Sequence, residues 1–502
     1  YSSRRQRQMC IRDRLTRGLA MKDYWQNYID GKFVDGGAGV IQVDNPGTGE
    51  KLADQAIADN ADVDKAVSAA KKVHESGFLT NMRPVERARM VKKIGAYLIE
   101  NLEEIAPLLS MEAGKTLFEA KFEVTNAARY FEYYGNQAET LEGRSIPLGS
   151  AYYDFTSYEP YGVSAQVIPW NFPMEMTARS LSTGLTTGNA CVIKSPELTP
   201  ITQYFFAKAA EAADFPAGTV NIICGIGGTA GEYLCSHKNI NQIAFTGSVK
   251  TGSAIATAAA KNIVPTVLEL GGKSAGIVYQ DASMTNLREN IRKGIFFNAG
   301  QVCSAMSRLV VHEKVYDEVV GLAEDVAKNM SVGIGIERDE FANNMGAMIS
   351  LKQRDRAVSI CDEAQKQGAK AVTGARKLNN KGFFLEPTVF ADVDQNMEIA
   401  QTEIFGPVLS ILKFKDDDEA ISISNGTEYG LVGGVFTKDL DRAMHCAQKV
   451  RAGQFFINEW FAGGVETPFG GYGKSGYGRE KGREALLNYV QTKNIAIKLG
   501  AS

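Results

Sequence analysis

Cys303, in the stretch NAGQVCSAM, is a residue whose type and neighbours could do chemistry. A cysteine retained for packing usually lies among large apolar side chains and is unreactive. The neighbours of Cys303 are instead Gly300, Gln301, Ser304 and Ala305, which are small or polar and leave room for a ligand. The stretch therefore makes Cys303 a candidate nucleophile, with a structural thiol as the alternative.

The cysteines and histidines as a set give no sign of a metal centre. The chain has 7 cysteines and 4 histidines, and none falls in a HxxxH or CxxC grouping. These spacings predict no zinc or iron site, no disulfide framework and a reducing, cytoplasmic location. The few histidines also disfavour a cysteine protease, which pairs its thiol with a histidine.

Length, composition and charge exclude several classes of protein. The 502 residues are enough for about three domains, and 44% are hydrophobic and 23% charged, as in globular proteins. The net charge of -3 provides no basic field to attract nucleic acid or anionic lipid. No apolar run approaches the roughly 18 residues that a membrane-spanning helix needs. We therefore expect no nucleic-acid partner and no membrane span.

Residues 1–20 differ in composition from the rest of the chain. They contain six arginines and one acidic residue, and they lack the apolar segment of a signal peptide. A transit peptide and a nucleic-acid-binding arm are two functional interpretations. We favour a non-native or disordered extension, such as a translated vector or assembly scar, ahead of a start at Met21.

From Met21 onward, helical and strand-like patterns alternate, which indicates an α/β protein. The stretch 240–261 predicts a strand, a glycine turn and an alanine-rich helix whose N-terminus could hold a phosphate. The other predicted elements are helical segments in 62–76 and 83–114 and buried strands in 163–170, 189–197 and 218–225.

Two further features concern how the domains are connected. The double glycine Gly271–Gly272 separates two strand-like runs and predicts a domain hinge, after which a second α/β segment extends to about Gly453. Strands predicted in 150–160 and 484–499 are remote from both segments. They could complete a sheet between subunits or form a flap that packs on its own domain, and both alternatives remain open.

Seven short motifs occur in a fixed order along the chain. They are IPWNFP (168–173), KSPE (194–197), FTGSVKTG (245–252), LELGGKS (268–274), GQVCSA (300–305), EIFGPV (403–408) and PFGGYGKSGYGRE (468–480). Any one of them is unspecific, but together they are highly specific. From about Met21 to its C-terminus the chain resembles the NAD(P)-dependent aldehyde dehydrogenase superfamily.

The resemblance implies an α/β, aldehyde dehydrogenase-like fold. Its parts are a Rossmann-type NAD-binding domain, an α/β catalytic domain and a small β-strand oligomerisation flap, through which a homodimer or homotetramer would assemble. The implied boundaries are 21–140 and 160–270 for the NAD-binding domain, 271–455 for the catalytic domain, 141–159 and 484–502 for the oligomerisation strands, and 456–483 for a substrate loop that returns to the NAD-binding domain.

The resemblance also implies three catalytic residues. Cys303 is the nucleophile, whose thiolate attacks the aldehyde carbon and leaves a thioester that water can cleave. Glu269 is the general base for that water, and burial would raise its pKa toward the working range. The side-chain amide of Asn171 and the backbone N–H of the nucleophile form the oxyanion hole. Judged by residue type alone, Glu269 is a surface charge and Asn171 a turn former.

Cofactor binding cannot be read from a standard glycine motif, since neither FTGSVKTG nor CGIGGTAG is a dinucleotide fingerprint or a P-loop. By resemblance, Lys194 and Glu197 contact the adenosine ribose and Glu403 the nicotinamide ribose. A carboxylate at Glu197 would repel a 2′-phosphate, which favours NAD over NADP. The implied cofactor-binding residues are Ile168, Trp170, Lys194, Glu197, Gly247, Ser248, Gly252, Leu270, Glu403 and Phe405.

The substrate is a small aldehyde whose identity the sequence leaves open. An aromatic lining favours apolar or aromatic aldehydes, whereas an arginine at position 179 binds a substrate carboxylate in semialdehyde-oxidising relatives. Alternatively, Arg179 pairs with an internal acid such as Glu175 or Glu466. The residues implied to line the pocket are Phe172, Met176, Arg179 and Phe297, with Phe461 in the loop 458–466.

Three rival functions are weaker. The stretch GKSAG, 272–276, matches the motif of a serine hydrolase, and His312 and His445 lie downstream of it. In such hydrolases the nucleophilic serine lies on a sharp turn that leads from a strand into a helix. Here the following stretch AGIVYQD predicts a strand, so the motif lacks its structural context. A non-catalytic relative would be expected to lack Cys303 or Glu269. A CoA-acylating relative generally lacks the base at the Glu269 position. The predicted function is therefore NAD-dependent oxidation of an aldehyde to a carboxylic acid.

Overall fold

Helices and strands alternate along the chain, as the sequence predicts, in a computed structural model that describes residues 22–341, 343–378 and 381–500. The predicted extension 1–20 and the start at Met21 lie outside the described residues. Within the described ranges, no helix combines the length and the apolar character that crossing a membrane requires.

The strands and helices are numbered here in chain order. The strands are β1 Tyr24–Trp25, β2 Asn27–Ile29, β3 Lys32–Val34, β4 Val40–Asn45, β5 Glu50–Ala56, β6 Ser145–Ile146, β7 Tyr152–Pro160, β8 Val163–Val167, β9 Ala190–Ser195, β10 Val220–Cys224, β11 Gln242–Thr246, β12 Thr266–Glu269, β13 Ala275–Val278, β14 Arg308–His312, β15 Ser331–Val332, β16 Asn344–Met345, β17 Lys370–Thr373, β18 Thr388–Ala391, β19 Val408–Phe414, β20 Val432–Phe436, β21 Gln454–Ile457, β22 Gly476–Tyr477 and β23 Val490–Lys498. The helices are α1 Asn60–Glu75, α2 Phe78–Asn81, α3 Pro84–Glu100, α4 Leu102–Ala113, α5 Leu117–Gln137, α6 Pro173–Thr187, α7 Tyr204–Ala212, α8 Glu232–Ser236, α9 Val249–Ala260, α10 Met284–Ile295, α11 Tyr316–Lys328, α12 Leu351–Lys366, α13 Glu398–Gln401, α14 Asp417–Asn425 and α15 Leu440–Lys449.

An eight-stranded sheet in the order β22-β12-β11-β8-β9-β10-β2-β3 contains the five parallel strands β8 to β12. Strand β8 pairs in parallel with β9 on one side and with β11 on the other. The chain therefore winds away from β8 in both directions. In such a doubly wound sheet, ligands bind outside the carboxyl ends of the strands where the winding reverses.

A seven-stranded sheet in the order β17-β18-β19-β14-β13-β20-β21 forms the second α/β unit. The first sheet's β12 ends at Glu269 and the second sheet's β13 begins at Ala275. The double glycine lies where the chain passes between the two sheets. A Cβ atom on Gly272 would lie 2.7 Å from the carbonyl oxygen of Cys303. The connection between the two sheets therefore packs against the backbone of the predicted nucleophile, at a position where only glycine fits.

A third sheet joins the two remote strands. Strand β23 pairs antiparallel with β7 over its whole length, from Val490 opposite Pro160 to Lys498 opposite Tyr152. The sheet order is β23-β7-β6, so β23 is an edge strand. The predicted strands thus meet within one chain, and completion of this sheet by another subunit stays a prediction.

Helices α6 and α7 pack on one face of the eight-stranded sheet, and α3, α4 and α5 form a further helical layer beside them. Residues 83–114, which have a continuous helical pattern, form two helices that meet at Asn101. Ile94 of α3, Phe131 of α5 and Phe206 of α7 are buried in the core between these helices and the sheet. A separate core, which includes Leu309, lies around the seven-stranded sheet. This packing places helices α5 and α6 beside the segment that connects the two large sheets.

A substitution at Gly300 tests whether the backbone turn before Cys303 requires glycine. Its φ is +70°, and a Cβ atom there would lie 2.2 Å from the carbonyl oxygen of Gly406. We expect Gly300→Ala to lower the free energy of unfolding by about 2 kcal/mol, because the new side chain both strains the backbone and clashes. The midpoint of urea denaturation measures this loss.

Gly321→Ala is the matched control for Gly300→Ala. Gly321 is exposed within α11 and has nothing within 4 Å of its Cβ position. Alanine favours the helix by about 1 kcal/mol relative to glycine, so this variant should be at least as stable as the parent. An equal loss of stability in both variants would contradict the explanation.

Candidate active site

A cavity of about 650 Å³ contains Cys303 and brings together all five predicted pocket residues. Ten of its 24 lining residues are aromatic, and the rings of Phe172 and Phe297 stack with centroids 6.2 Å apart. The loop predicted at 458–466 supplies one side of the cavity through residues 460–465. The cavity can therefore hold a molecule with an apolar body against the Cys303 thiol. The five pocket residues are Phe172, Met176, Arg179, Phe297 and Phe461.

The turn before Cys303 holds three consecutive residues in left-handed backbone conformations. The φ angles are 49° at Asn298, 51° at Ala299 and 70° at Gly300. Backbone of this kind persists only where surrounding contacts fix it. Glu119 of α5 provides such a contact by accepting a hydrogen bond from the Asn298 N–H at 2.7 Å. The turn thereby sets Cys303 at the cavity wall.

Cys303 is the one cysteine among the described residues that is not fully buried. Desolvation raises the pKa of Cys303 to about 12, although the charge of Arg179 acts in the opposite direction. Since the thiolate is the reactive form, a thiol with a raised pKa needs a base to remove its proton before it attacks.

Asn171 is fixed beside this turn by three hydrogen bonds. Its side-chain Nδ2 donates to the Gln301 carbonyl at 2.9 Å. Its own carbonyl oxygen accepts from Lys115 Nζ at 2.8 Å and from Asn298 Nδ2 at 3.1 Å. A side-chain amide has two N–H donors, so one of them remains for a ligand next to Cys303.

A buried ion pair supports Asn171 from behind. Lys115 and Glu123 contact each other with both side chains inaccessible to solvent. Glu123 also accepts the N–H groups of Met174 at 2.8 Å and Glu175 at 3.3 Å, at the start of α6. Sequence reasoning missed this pair, because neither residue belongs to a motif and nothing local marks either as buried.

Glu269, at the end of β12, is 2% exposed. Neither of its carboxylate oxygens has a hydrogen-bond partner among the described residues. Burial raises the pKa of Glu269 well above the ordinary range, and the nearby Glu480 raises it further. Its Oε1 lies 2.7 Å from the Cβ position of Gly470, which follows the cavity-lining Phe469. A carboxylate whose pKa is raised is a stronger base than a solvated one, which suits Glu269 to accept a proton.

Arg179 lines the cavity but is held by two carboxylates. It pairs with Glu175 and with Glu480, each at 3.1 Å. The predicted pairing with Glu175 is therefore present. The alternative pairing with Glu466 is wrong, because Glu466 pairs with Arg129 at 2.5 Å. Sequence reasoning missed Glu480, for which the only signal was its place in the glycine-rich stretch GYGRE.

Eight of the ten predicted cofactor residues lie at the carboxyl ends of the parallel strands or just beyond them. Ile168 and Trp170 follow β8, Lys194 and Glu197 lie at the end of β9, Gly247, Ser248 and Gly252 follow β11, and Leu270 follows β12. The other two residues, Glu403 and Phe405, come from the segment before β19. Phe405 meets the ring of Trp170 edge-on at 5.3 Å, and Glu403 accepts the Gly272 N–H at 3.0 Å. All ten therefore lie along the carboxyl edge of this sheet, the edge at which a doubly wound sheet forms its ligand crevice.

The crevice has the chemistry of a dinucleotide site. Glu197 pairs with Lys194 at 2.8 Å and accepts the Gly227 N–H at 2.7 Å. The Cβ position of Gly228 has nothing within 4 Å, so the backbone there is open to a ligand. Ser248 caps α9 by accepting the Thr251 N–H at 3.2 Å. A helix N-terminus of this kind binds phosphate, and a carboxylate binds ribose hydroxyls.

The serine hydrolase alternative is not supported at 272–276. Ser274 precedes strand β13 rather than a helix, so the sharp strand-to-helix turn that exposes a nucleophilic serine is absent there. Its hydroxyl is buried and has no hydrogen-bond partner among the described residues.

Comparison with known proteins identifies the family. The model for the aldehyde dehydrogenase family matches residues 33–495, so the chain belongs to that family. An aldehyde dehydrogenase of Emericella nidulans is 39% identical over 475 residues, which cover 94% of this chain and 95% of that protein.

Two solved structures of similar proteins agree with this assignment. The NAD+ complex of an aldehyde dehydrogenase from Bacillus cereus is 36% identical, with a TM-score of 0.93 over 95% of this chain and 97% of that one. Betaine aldehyde dehydrogenase from Staphylococcus aureus, in complex with NAD+, is 32% identical, with a TM-score of 0.93 over 98% of this chain and 97% of that one. The predicted family and fold class are confirmed.

The raised pKa of Cys303 predicts the pH dependence of its alkylation. A thiol is fully reactive only above its pKa, so the rate of reaction with iodoacetamide should still increase above about pH 9. Mass spectrometry of the labelled peptide measures that rate. The parent should carry Cys10→Ser, since Cys10 lies outside the described residues, and Cys303→Ala in the same parent gives the background. A rate that levels off below about pH 8 would show a stabilised thiolate instead.

Proposed function

We propose that this protein oxidises an aldehyde to a carboxylic acid with NAD, through a thiohemiacetal and a thioester on Cys303. One observation carries the proposal. Cys303 lies at the wall of a largely apolar cavity, beside an asparagine bonded to the same turn. The buried, unpartnered Glu269 is close enough for its charge to act on the thiol.

The first step is the attack of the Cys303 sulfur on the aldehyde carbon. Glu269 removes the thiol proton, directly or through a water molecule, because its raised pKa makes it a base of suitable strength. The negative charge that develops on the aldehyde oxygen is stabilised by the free N–H of the Asn171 amide and the backbone N–H of Cys303. One such donor is worth about 10²–10³ in rate.

NAD fits the residues of the crevice and supplies the acceptor for the hydride that leaves the thiohemiacetal carbon. Lys194 and Glu197 would hold one ribose, and the α9 N-terminus at Ser248 the pyrophosphate. Glu403, whose pKa burial raises to about 7, would hold the second ribose. The NAD+ complexes of the two relatives support this cofactor. The Glu197 carboxylate makes NADP the less favoured cofactor.

The last step is hydrolysis of the thioester. Glu269 first releases the thiol proton to solvent and then accepts a proton from water as the water oxygen bonds to the acyl carbon. The carbon–sulfur bond breaks, the Cys303 thiolate leaves and is reprotonated, and the carboxylic acid is the product. A base at this position favours water over CoA as the acceptor of the acyl group.

The cavity supports an aldehyde with an apolar or aromatic body. The semialdehyde alternative assigns a substrate carboxylate to Arg179. Glu175 and Glu480 already neutralise Arg179, and this favours a structural role for the arginine.

We infer that subunits associate through β23, whose outer edge pairs with no strand of the part of the chain that the structure describes. Light scattering would distinguish a monomer from the homodimer or homotetramer we propose.

The proposed domain boundary near residues 270–271 is supported by the connection of the two large sheets at this point of the chain.

Cys303→Ala tests the assignment of the nucleophile. NADH formation should be abolished for every aldehyde, because no sulfur remains to form the thiohemiacetal, while NAD binding measured by calorimetry stays close to that of the parent. The assay covers benzaldehyde, hexanal, betaine aldehyde and succinate semialdehyde, with NAD and NADP compared. Turnover close to that of the parent would refute the mechanism.

Glu269→Gln tests the assignment of the base. Glutamine keeps the size of the side chain but accepts no proton, so both thiol activation and thioester hydrolysis should slow, and NADH should form in a slowed burst without sustained turnover where hydrolysis limits the rate. In the parent, turnover should rise with pH through the raised pKa of Glu269, because the carboxylate is the active form and is absent below that pKa. Sustained turnover with an unchanged pH profile in Glu269→Gln would exclude Glu269 as the base.

A further inference from the structure

The cationic side chains that line the cavity differ in whether they have a partner. Arg179 is bound by two carboxylates, and Lys293 contacts Glu459. Lys481 lines the same cavity. Among the described residues its ammonium group has no ion-pair partner, and it lies 5.9 Å from the ring centroid of Phe469.

The backbone holds Lys481 at the cavity wall. Its φ is 62°, in the left-handed region that a lysine rarely adopts. On one side, Glu480 exchanges two backbone hydrogen bonds with Phe469, at 2.6 and 2.7 Å. On the other side, the Gly482 N–H donates to the Val465 carbonyl at 2.8 Å. Since Phe469 and Val465 both line the cavity, the position of Lys481 is built into its wall.

The ammonium group of Lys481 lies in an environment that favours an anion. The side chain is half-buried, and an unpaired charge in such a place is unfavourable unless a group of opposite sign binds it. The charged or titratable groups that act on it are Arg179, Glu175, Glu466 and Cys303. Arg179 pairs with Glu175 and Arg129 with Glu466, and among the described residues neither acid forms an ion pair with Lys481.

We propose that Lys481 binds a carboxylate at the distal end of the substrate, so that the protein prefers aldehydes in which an apolar or aromatic body separates the aldehyde from a carboxylate. This inference rests on the proposed function, because it needs Cys303 to attack the other end of the same molecule. Both residues line one cavity, and they are near enough for their charges to interact. Lys481 thus takes the specificity role that the sequence offered to Arg179.

Matched pairs of aldehydes test the proposal. The pairs are 4-carboxybenzaldehyde with 4-formylbenzamide, and 6-oxohexanoate with 6-oxohexanamide, which differ in charge but little in size. For at least one pair, kcat/KM of the parent should be about tenfold higher for the carboxylate, a factor that corresponds to 1.4 kcal/mol. In Lys481→Met this ratio should fall to about one, chiefly through KM, since the lost contact is made in both ground and transition states.

Control variants distinguish the loss of the Lys481 charge from a general disturbance of the cavity. Lys293→Met removes a lysine from the same cavity that already has a partner, so the ratio should stay as in the parent. Lys481→Arg keeps the charge and should keep most of the ratio. Lys481→Gln repeats the neutral substitution in case Lys481→Met fails to fold.

The pH dependence of the ratio gives a second readout. Burial lowers the pKa of Lys481 to about 8, so the lysine is charged below that pH and neutral above it. The preference for the carboxylate should therefore be present below about pH 8 and lost above it, and this step should be absent in Lys481→Met. Groups common to both aldehydes of a pair, such as Cys303, cancel in the ratio.

The outcomes are distinguishable. A ratio that is the same in the parent and in Lys481→Met overturns the proposal while leaving aldehyde oxidation intact. A parent that oxidises neither member of any pair, nor any aldehyde of the wider panel, overturns the proposed function itself. A ratio that falls equally in Lys293→Met also overturns the proposal, because the effect would then come from the general field of the cavity.

Discussion

The buried pair of Lys115 and Glu123 is the interaction on which the geometry of the site depends. Lys115 binds the Asn171 carbonyl, and Glu123 binds two N–H groups at the start of α6. One turn earlier on the same helix, Glu119 binds the Asn298 N–H in the turn before Cys303. Helix α5 therefore positions both the amide donor and the nucleophile. A buried charge left without its partner costs about 3–5 kcal/mol, so the loss of either Lys115 or Glu123 would destabilise this arrangement.

The apolar surroundings that shape the cavity also set the acidity of the site. Burial raises the pKa of the Cys303 thiol and of the Glu269 carboxyl, so both groups hold protons more firmly than they would in water. The charge of Glu269 raises the thiol pKa further, which couples the two titrations. Ionisation of one group thus opposes ionisation of the other. The thiol proton that Glu269 accepts must therefore leave before the same carboxylate can activate water, so thiol activation and water activation are separate steps.

The parts of the site that could be predicted from the sequence are those with a local signature. A buried strand followed by a glycine turn marks the end of β11, and the spacing of Glu175 and Arg179 on one helix face indicates their pairing. Glu480 lies 301 residues from Arg179 along the chain, so no periodicity connects the two. The break at Asn101 between α3 and α4 is hidden because the apolar spacing continues across it. The pairing of β7 with β23 likewise depends on register, which the alternation of side chains in each strand leaves open.

Arg179 influences the pKa values of the groups proposed to carry out the reaction. Its charge lowers the pKa values of Cys303, Glu269 and Glu480, against the effect of burial on all three groups. By holding Glu480 in an ion pair, it also keeps a carboxylate close to Glu269, and that like charge raises the Glu269 pKa. The arginine therefore acts on the base in two opposite ways, directly as a cation and indirectly through the acid it holds. A side chain already engaged in this balance is poorly placed to change partners when substrate enters. Lys481 has no ion-pair partner among the described residues, so it can bind an anion without disturbing the acids of the site.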